Sequence, residues 1–342
     1  MIQEALRKIT FREDLTREEA ETVMTEVMEG EASPIQIGAL LAGLRTKGES
    51  VDELVGFARV MRDHSIKVEP RAHPILDMCG TGGDICNTFN ISTAATFVVA
   101  AAGIPVAKHG NRAVSSLCGS ADVLAAVGVE LDLTPQQIAS CIDTVGVGFM
   151  YAPSHHPATK NAAGPRKELG IRTTFNLVGP LTNPAGATHQ LVGVFHQDLC
   201  PVVAEALLEL GCERAMVVHG MDGMDELSSV GPTRISILQH GRVHTETRIP
   251  SELYMLPTRI EEIAGGNSIE ENAEIMLAVL KGEKGPRRDI VCLNACAGLI
   301  LGGMAESWRD GLSLAHRVID NGKAATVLNN LIEFTGRFSQ VA

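Results

Sequence analysis

Three short stretches of this chain combine residue types and spacings that suit a phosphorylated ligand. In ILDMCGTGGDICNTFNIST, an apolar run ends near Met78 and Gly80-Thr81-Gly82-Gly83-Asp84 forms a loop. Asn90, Ser92 and Thr93 then stand at the mouth of an apolar helical segment. Small residues let backbone N–H groups approach a phosphate, and a helix N-terminus adds a favourable dipole. The loop is neither GxGxxG nor GxxxxGK followed by Ser or Thr, which excludes the dinucleotide fingerprint and the P-loop. Taken alone it reads equally well as a plain strand-to-helix turn.

The second stretch is KHGNR, with Lys108, His109, Asn111 and Arg112 at the end of the next apolar run. Neighbouring strands of a parallel sheet direct their carboxyl ends to one crevice, so this stretch can meet the Gly loop. Singly, the two cations suit a solvated surface and the histidine an ordinary polar contact. The third is RAMVVHGMDGMDE, which sets Asp225 and Glu226 after a tight turn. Paired acids are common in turns. Facing a phosphate loop, they suit Mg²⁺, which takes oxygen ligands and bridges to substrate phosphates. His155-His156 invites a zinc reading, but it lacks an HExxH pattern or a suitable Cys partner, and no GxSxG elbow is present.

The elements that must position these residues follow from punctuation and periodicity. Residues 1 to about 70 read as helices: Thr16 with Glu19, Ser33 before Pro34, and Ser50 with Glu53 are start signals, and Gly30 is a stop. From Ile75 short apolar runs alternate with helices. ILDM, IPVAKHG, VELD and VGFMY read as strands, and STAATFVVAAAG, SADVLAAVG and TPQQIASCIDTVG as helices. Residues 153–188 interrupt the alternation with irregular Pro-, Gly- and Asn-rich sequence, suggesting a functional segment or a return to the other domain. The rhythm resumes with LVGVF, PVVAEALLELG and RAMVVHG, then a hairpin around His240-Gly241, then packing helices. The expected class is α/β: a small all-helical domain over 1–72, with part of 160–190 returning to it, and an α/β domain over 73–342 with a mostly parallel central sheet flanked by helices.

Composition bounds the function. At 342 residues, 45% hydrophobic and 20% charged, the chain has ample core and no low-complexity signature. Lys plus Arg number 29 against 41 Asp plus Glu, a net charge of -12, which argues against a general nucleic-acid binder. The charged N-terminal stretch shows no secretory signal, and no apolar run reaches a membrane span. The 8 cysteines include no CxxC and mostly sit among Ala, Val and Leu, as reduced core residues do. The expected compartment is the cytoplasm.

Together these stretches resemble the anthranilate phosphoribosyltransferase family along nearly the whole chain. The likeness lies in GTGGD (80–84), TFNIST (88–93), KHGNR (108–112), GSADVL (119–124), MYAPSHHPA (150–158), RKELGIRTTFNLVGPLTNPA (166–185) and HGMDGMDE (219–226). The resemblance implies transfer of the 5-phosphoribosyl group from phosphoribosyl pyrophosphate to the amine of anthranilate, with Mg²⁺, in a homodimer joined through the helical domains. It assigns Gly80, Gly83, Asp84, Thr88, Asn90, Ile91, Ser92, Thr93, Lys108 and Ser120 to phosphoribosyl pyrophosphate, with Lys108 and Asp84 as catalytic residues. It assigns Gly80, His109, Asn111, His156, Arg166, Gly179 and Pro180 to anthranilate, with Arg166 meeting the carboxylate. Ser92, Asp225 and Glu226 match the metal positions. Ile85 departs from the Gly common at that place in similar sequences, and its branched side chain stiffens the loop.

Two alternatives stand beside this reading. One is a related phosphoribosyltransferase or a nucleoside phosphorylase on the same fold; KHGNR and the 166–185 segment favour an aromatic acid, since a nucleoside phosphorylase has no use for a carboxylate channel. The other is a non-catalytic relative that binds nucleic acid, against which the acidic balance counts.

Overall fold

Local side-chain chemistry starts the first helices. α1 (Ile2–Thr10) is followed by α2 (Arg17–Glu29), where the Thr16 hydroxyl accepts from the Glu19 N–H and the Glu19 carboxylate accepts from the Thr16 N–H. The same reciprocal box, Ser33 with Gln36 and Ser50 with Glu53, opens α3 (Pro34–Lys47) and α4 (Val51–Asp63). Each such cap contributes about 1 kcal/mol. Glu53 also acts at long range: buried, it accepts from the Leu15 N–H at 3.0 Å and pairs with Lys47 at 2.9 Å, so one capping acid ties the start of α4 to the turn before α2.

The computed structural model describes residues 1–82, 86–113 and 117–338. Beyond the helical unit come β1 (Leu76–Gly80), α5 (Ile91–Ala101), β2 (Val106–Gly110), α6 (Ser120–Ala126), α7 (Pro135–Val145) and β3 (Val147–Tyr151). Next are α8 (Ala152–His155), α9 (Lys160–Leu169), α10 (Thr174–Val178), β4 (His189–Gly193), α11 (Leu199–Glu209) and β5 (Arg214–Gly220). A hairpin of β6 (Thr233–Gln239) and β7 (Arg242–Arg248) turns through His240 and Gly241, both at positive φ. Four helices close the chain: α12 (Ile269–Leu280), α13 (Pro286–Leu301), α14 (Trp308–Asp320) and α15 (Lys323–Gly336).

The strands form one 7-stranded sheet in the order β3-β2-β1-β4-β5-β6-β7, parallel from β3 to β5 and antiparallel beyond. Strand order reverses between β1 and β4, so a crevice opens there at the carboxyl ends, the usual ligand position in an open α/β sheet. One face is covered by α5 and the four C-terminal helices around Met78, Phe97, Val218 and Leu293. On the other face, the apolar residues of α11 run on without a break into those of the helical unit.

Two expectations are corrected. Residues 129–132, VELD, form no strand: the Glu130 carboxylate accepts from the Leu131 and Asp132 N–H groups at 2.8 and 3.0 Å, and the Glu130 N–H donates to Thr335, so these donors are spent on side chains. The 153–188 segment, expected to be irregular, holds α8, α9 and α10 and two short 3-10 turns. α9 contains Pro165 and is held by packing on α2 and α3, a tertiary support that overrides poor local propensity.

Candidate active site

At the switch point lies a cavity of about 360 Å³, walled by the carboxyl ends of the strands on one side and by α4, α9 and α10 on the other. Lys108, on β2, is only 3% exposed. Its ammonium donates to the Met78 carbonyl at 2.5 Å and to the Ser92 hydroxyl at 3.4 Å, which holds the charge at the mouth of α5. Burial lowers its pKa and the Asp77 carboxylate opposes that shift. Asp77 escaped the sequence reading. It accepts from the His109 N–H and from the Asn183 amide, and burial raises its pKa. An acid inside the apolar run ILDM was the available signal, because a buried charge needs a partner.

The α5 N-terminus is shaped for an anion. The Asn90 side chain does not cap the helix; its amide donates to the Cys118 carbonyl at 3.0 Å. The Ser92 N–H, in the first turn, donates to Glu226 at 3.1 Å. Asp225 accepts from the Gly82 N–H at 2.8 Å, and burial raises its pKa. Room for Asp225 comes from two glycines abreast at the strand ends, Gly80 and Gly193: a Cβ on Gly80 would strike its carboxylate and one on Gly193 its backbone carbonyl. Gly82 has φ +70 with open space around its Cα, so the demand there is on backbone conformation.

These residues fit a magnesium ion. Ser92, Asp225 and Glu226 offer hard oxygen donors, and the Asp225 carboxylate is buried with its pKa still raised despite the Gly82 N–H, a desolvation that a bound cation would offset further. Among the described residues no group of three or more His, Cys, Asp or Glu is placed to hold an ion. Two carboxylates with substrate oxygens making up the shell is how Mg²⁺ is commonly held.

The other end of the cavity is different in kind. His109 and His156 stand with ring centres 5.1 Å apart, and neither Nε2 has a hydrogen-bond partner among the described residues. Burial drives their pKa values down to about 3 and about 4, so both rings are neutral at pH 7. Arg166, near the end of α9, lies with its guanidinium carbon 5.0 Å from the centre of the Phe175 ring, and burial lowers its pKa. It forms no ion pair among the described residues. Gly179 and Pro180 lead into a 3-10 turn on the same wall, where the Pro180 carbonyl accepts from Gln190 at 2.8 Å.

Of the remaining sequence-nominated positions, Thr88, Ile91, Thr93, Asn111 and Ser120 also line the cavity, whereas Gly83, Asp84 and Ile85 lie outside the described residues. Arg112 reaches the cavity wall but pairs with Asp122 at 3.0 Å, and His155 is bound to the Ile66 carbonyl at 2.9 Å, a structural contact. The sequence reading missed Met61 of α4 and the Arg172, Phe175 and Asn176 group. RTTFN lay inside the nominated 166–185 stretch, but nothing in its pattern says which side chains turn inward.

The chain matches two family models, the helical bundle domain of a glycosyl transferase family over residues 3–65 and its a/b domain over residues 72–325. It is 49% identical over 338 residues to the anthranilate phosphoribosyltransferase of Acetivibrio thermocellus, covering 99% of this chain and 98% of that protein. It is 51% identical over 341 residues to that of Desulforudis audaxviator, covering 100% and 98%. Among solved structures, the Thermus thermophilus anthranilate phosphoribosyltransferase superposes with a TM-score of 0.91 at 42% identity over 97% of this chain and 99% of that one. The Saccharomyces cerevisiae enzyme in complex with PRPP and Mg shares the fold, with a TM-score of 0.89 at 24% identity over 98% of each chain.

Proposed function

The chain belongs to the anthranilate phosphoribosyltransferase family, and from that premise we propose how its residues divide the work of moving a 5-phosphoribosyl group from phosphoribosyl pyrophosphate to the amine of anthranilate. The reaction yields N-(5-phosphoribosyl)anthranilate and pyrophosphate, in tryptophan biosynthesis. The observation that carries the assignment of roles is the polarity of one cavity: buried Lys108, the α5 N-terminus and two carboxylates at one end, neutral imidazoles and a ring-stacked Arg166 at the other.

In the reaction the bond from ribose C1 to the pyrophosphate oxygen breaks with its electron pair leaving on oxygen. The amine lone pair forms the new C1–N bond, and the amine nitrogen then gives its proton to the departing pyrophosphate or to water. Lys108, the loop that follows β1 and the α5 N-terminus stabilise the departing charge, with Thr88, Asn90, Thr93 and Ser120 holding the phosphoribosyl part. Ser92, Asp225 and Glu226 would hold Mg²⁺, which when bound screens pyrophosphate charge. Arg166 grips the carboxylate in a planar fork. The unpartnered Nε2 atoms of His109 and His156 accept hydrogen bonds from the amine. The aromatic amine is neutral at pH 7 and needs no strong base, so rate comes from positioning and leaving-group stabilisation.

The remaining proposals concern assembly and location. The helical unit over 1–72 acts as a domain of its own with the α9–α10 segment returning to it, and pairs with its counterpart in a homodimer. Phe11 and Ile35, 79% and 84% exposed on that unit, support the pairing. No helix among the described residues is long and apolar enough to cross a membrane, and we place the enzyme in the cytoplasm. Anthranilate fluorescence tests the activity: it should fall only when phosphoribosyl pyrophosphate and Mg²⁺ are both present, and a decay without either would refute the scheme. Light scattering on a sizing column tests the dimer.

A further inference from the structure

Arg172 is a second cation on the wall of the cavity, and none of the roles above uses it. It sits between α9 and α10, half-buried, with its guanidinium carbon 4.9 Å from the centre of the Phe195 ring. Arg45 of α3 stacks on the same ring at 4.8 Å. Neither arginine forms an ion pair or a hydrogen bond among the described residues, so two positive charges share one aromatic ring with acids, Glu49 for Arg45 and Asp225 for Arg172, near enough to feel them but not in contact.

The location decides which anion this charge suits. Phe195 lies two residues past the end of β4, beside the loop that follows β1: the Gly193 carbonyl accepts from the Thr81 N–H at 2.9 Å. Asn176 donates to the Thr81 carbonyl at 3.5 Å, and Asp225, bound to the Gly82 N–H, feels the Arg172 charge. Arg172 therefore faces the Thr81–Gly82 and Asp225 end of the cavity, while Arg166 on Phe175 serves the other. A guanidinium laid on a ring keeps its N–H donors in its own plane, free to meet two oxygens at once. Of the two substrates, only phosphoribosyl pyrophosphate brings phosphates, and Lys108 is the sole buried ammonium so far set against them.

Resting on the reading of the site given above, we propose that Arg172 binds a phosphate group of phosphoribosyl pyrophosphate directly, with Phe195 as the positioning residue that fixes its plane. The phosphate is either in the pyrophosphate or at the 5-position, and separate probes tell them apart.

The test measures R172Q, R172K and F195L by steady-state kinetics and by calorimetric titration with inorganic pyrophosphate plus Mg²⁺ and, separately, with ribose 5-phosphate. R172Q should raise KM for phosphoribosyl pyrophosphate about tenfold or more, weaken one of the two probes by a similar factor, and leave KM for anthranilate within about twofold. R172K, keeping the charge but not the fork, should fall between R172Q and wild type, as should F195L; if R172Q fails to fold, R172K against wild type carries the test with a loss of about threefold. Unchanged affinity for both probes overturns the proposal. So does an equal rise in both KM values that Lys does not relieve, which would mark Arg172 as a structural brace. Wild-type chain that turns over no anthranilate would instead remove the underlying reading, and this inference with it.

Discussion

The two ends of the cavity bury polar groups by opposite means. Around Lys108 three buried charges are each held by hydrogen bonds: the ammonium on the Met78 carbonyl, Asp77 on the His109 N–H and Asn183, and Asp225 on the Gly82 N–H. Around Arg166 the cation lies on an aromatic ring, and two imidazoles stand neutral with open nitrogens. The first arrangement is preorganised for charge that develops during reaction, since fixed donors need not reorient as the leaving group forms. The second leaves its capacity unspent for an incoming flat acid, which will satisfy the orphaned nitrogens. A densely bonded end should thus fail in rate when cut, and a loosely bonded end in affinity.

The most damaging change should be at the charged end. Replacing Asp225 by Asn together with Glu226 by Gln is expected to lower kcat on the order of 10² or more, with the unfolding transition retained. Near-normal turnover at limiting Mg²⁺ would break the contrast and make the pair an ordinary solvated turn. At the other end, Arg166→Ala should cost roughly 2 to 3 kcal/mol in kcat/KM for anthranilate and leave phosphoribosyl pyrophosphate affinity nearly intact, with Arg166→Lys recovering only part. Varying each substrate in turn checks this, and an equal loss for both would assign Arg166 a structural role.

A smaller effect is expected at Gly82. Its positive φ of +70, with no atom of the described residues within 4 Å of a Cβ placed there, means that Gly82→Val suffers chiefly from backbone strain, a penalty of about 1 to 2 kcal/mol and roughly tenfold in phosphoribosyl pyrophosphate affinity. Calorimetric titration with that substrate measures it, and unchanged affinity would separate loop shape from binding.

The mildest test is acid. In the unfolded chain His109 and His156 take up protons as pH falls through about 6.5, while folded they stay neutral to about 3 and about 4, so the stability they confer is present above 6.5 and lost on acidification. At pH 5 each contributes a loss on the order of 2 kcal/mol. Asp77 and Asp225, whose pKa values burial raises, push the other way, so the comparison must be made between variants. His156→Gln should show a smaller drop in unfolding temperature from pH 7 to pH 5 than wild type. Parallel thermal melts decide it, and identical drops would mean that His156 is not held neutral.

Much of the fold was legible because its signals are local. A capping box such as Thr16 with Glu19 needs only four consecutive residues to satisfy its own backbone, and His240-Gly241 needs only two to turn a hairpin. VELD mimics a strand because apolar alternation says nothing about Glu130, whose carboxylate folds back onto the next two N–H groups. The helices of 153–188 were hidden by Pro and Gly; α9 forms against α2 and α3, and α10 against α3 and α4.

By itself, then, the sequence determined the succession of helices and strands outside 129–132 and 153–188, the stretches that gather at the strand ends, and through its motifs the family and reaction. Those properties rest on contacts between near neighbours in the chain or on patterns of residue type. Only the tertiary structure decided that Asp77 underlies Lys108, that Gly80 and Gly193 stand abreast to admit Asp225, and that Arg45 and Arg172 meet on Phe195. Each of these joins segments from about 20 to 150 residues apart in sequence, and which side chains meet across such distances is set by strand register and helix packing, which no local pattern records.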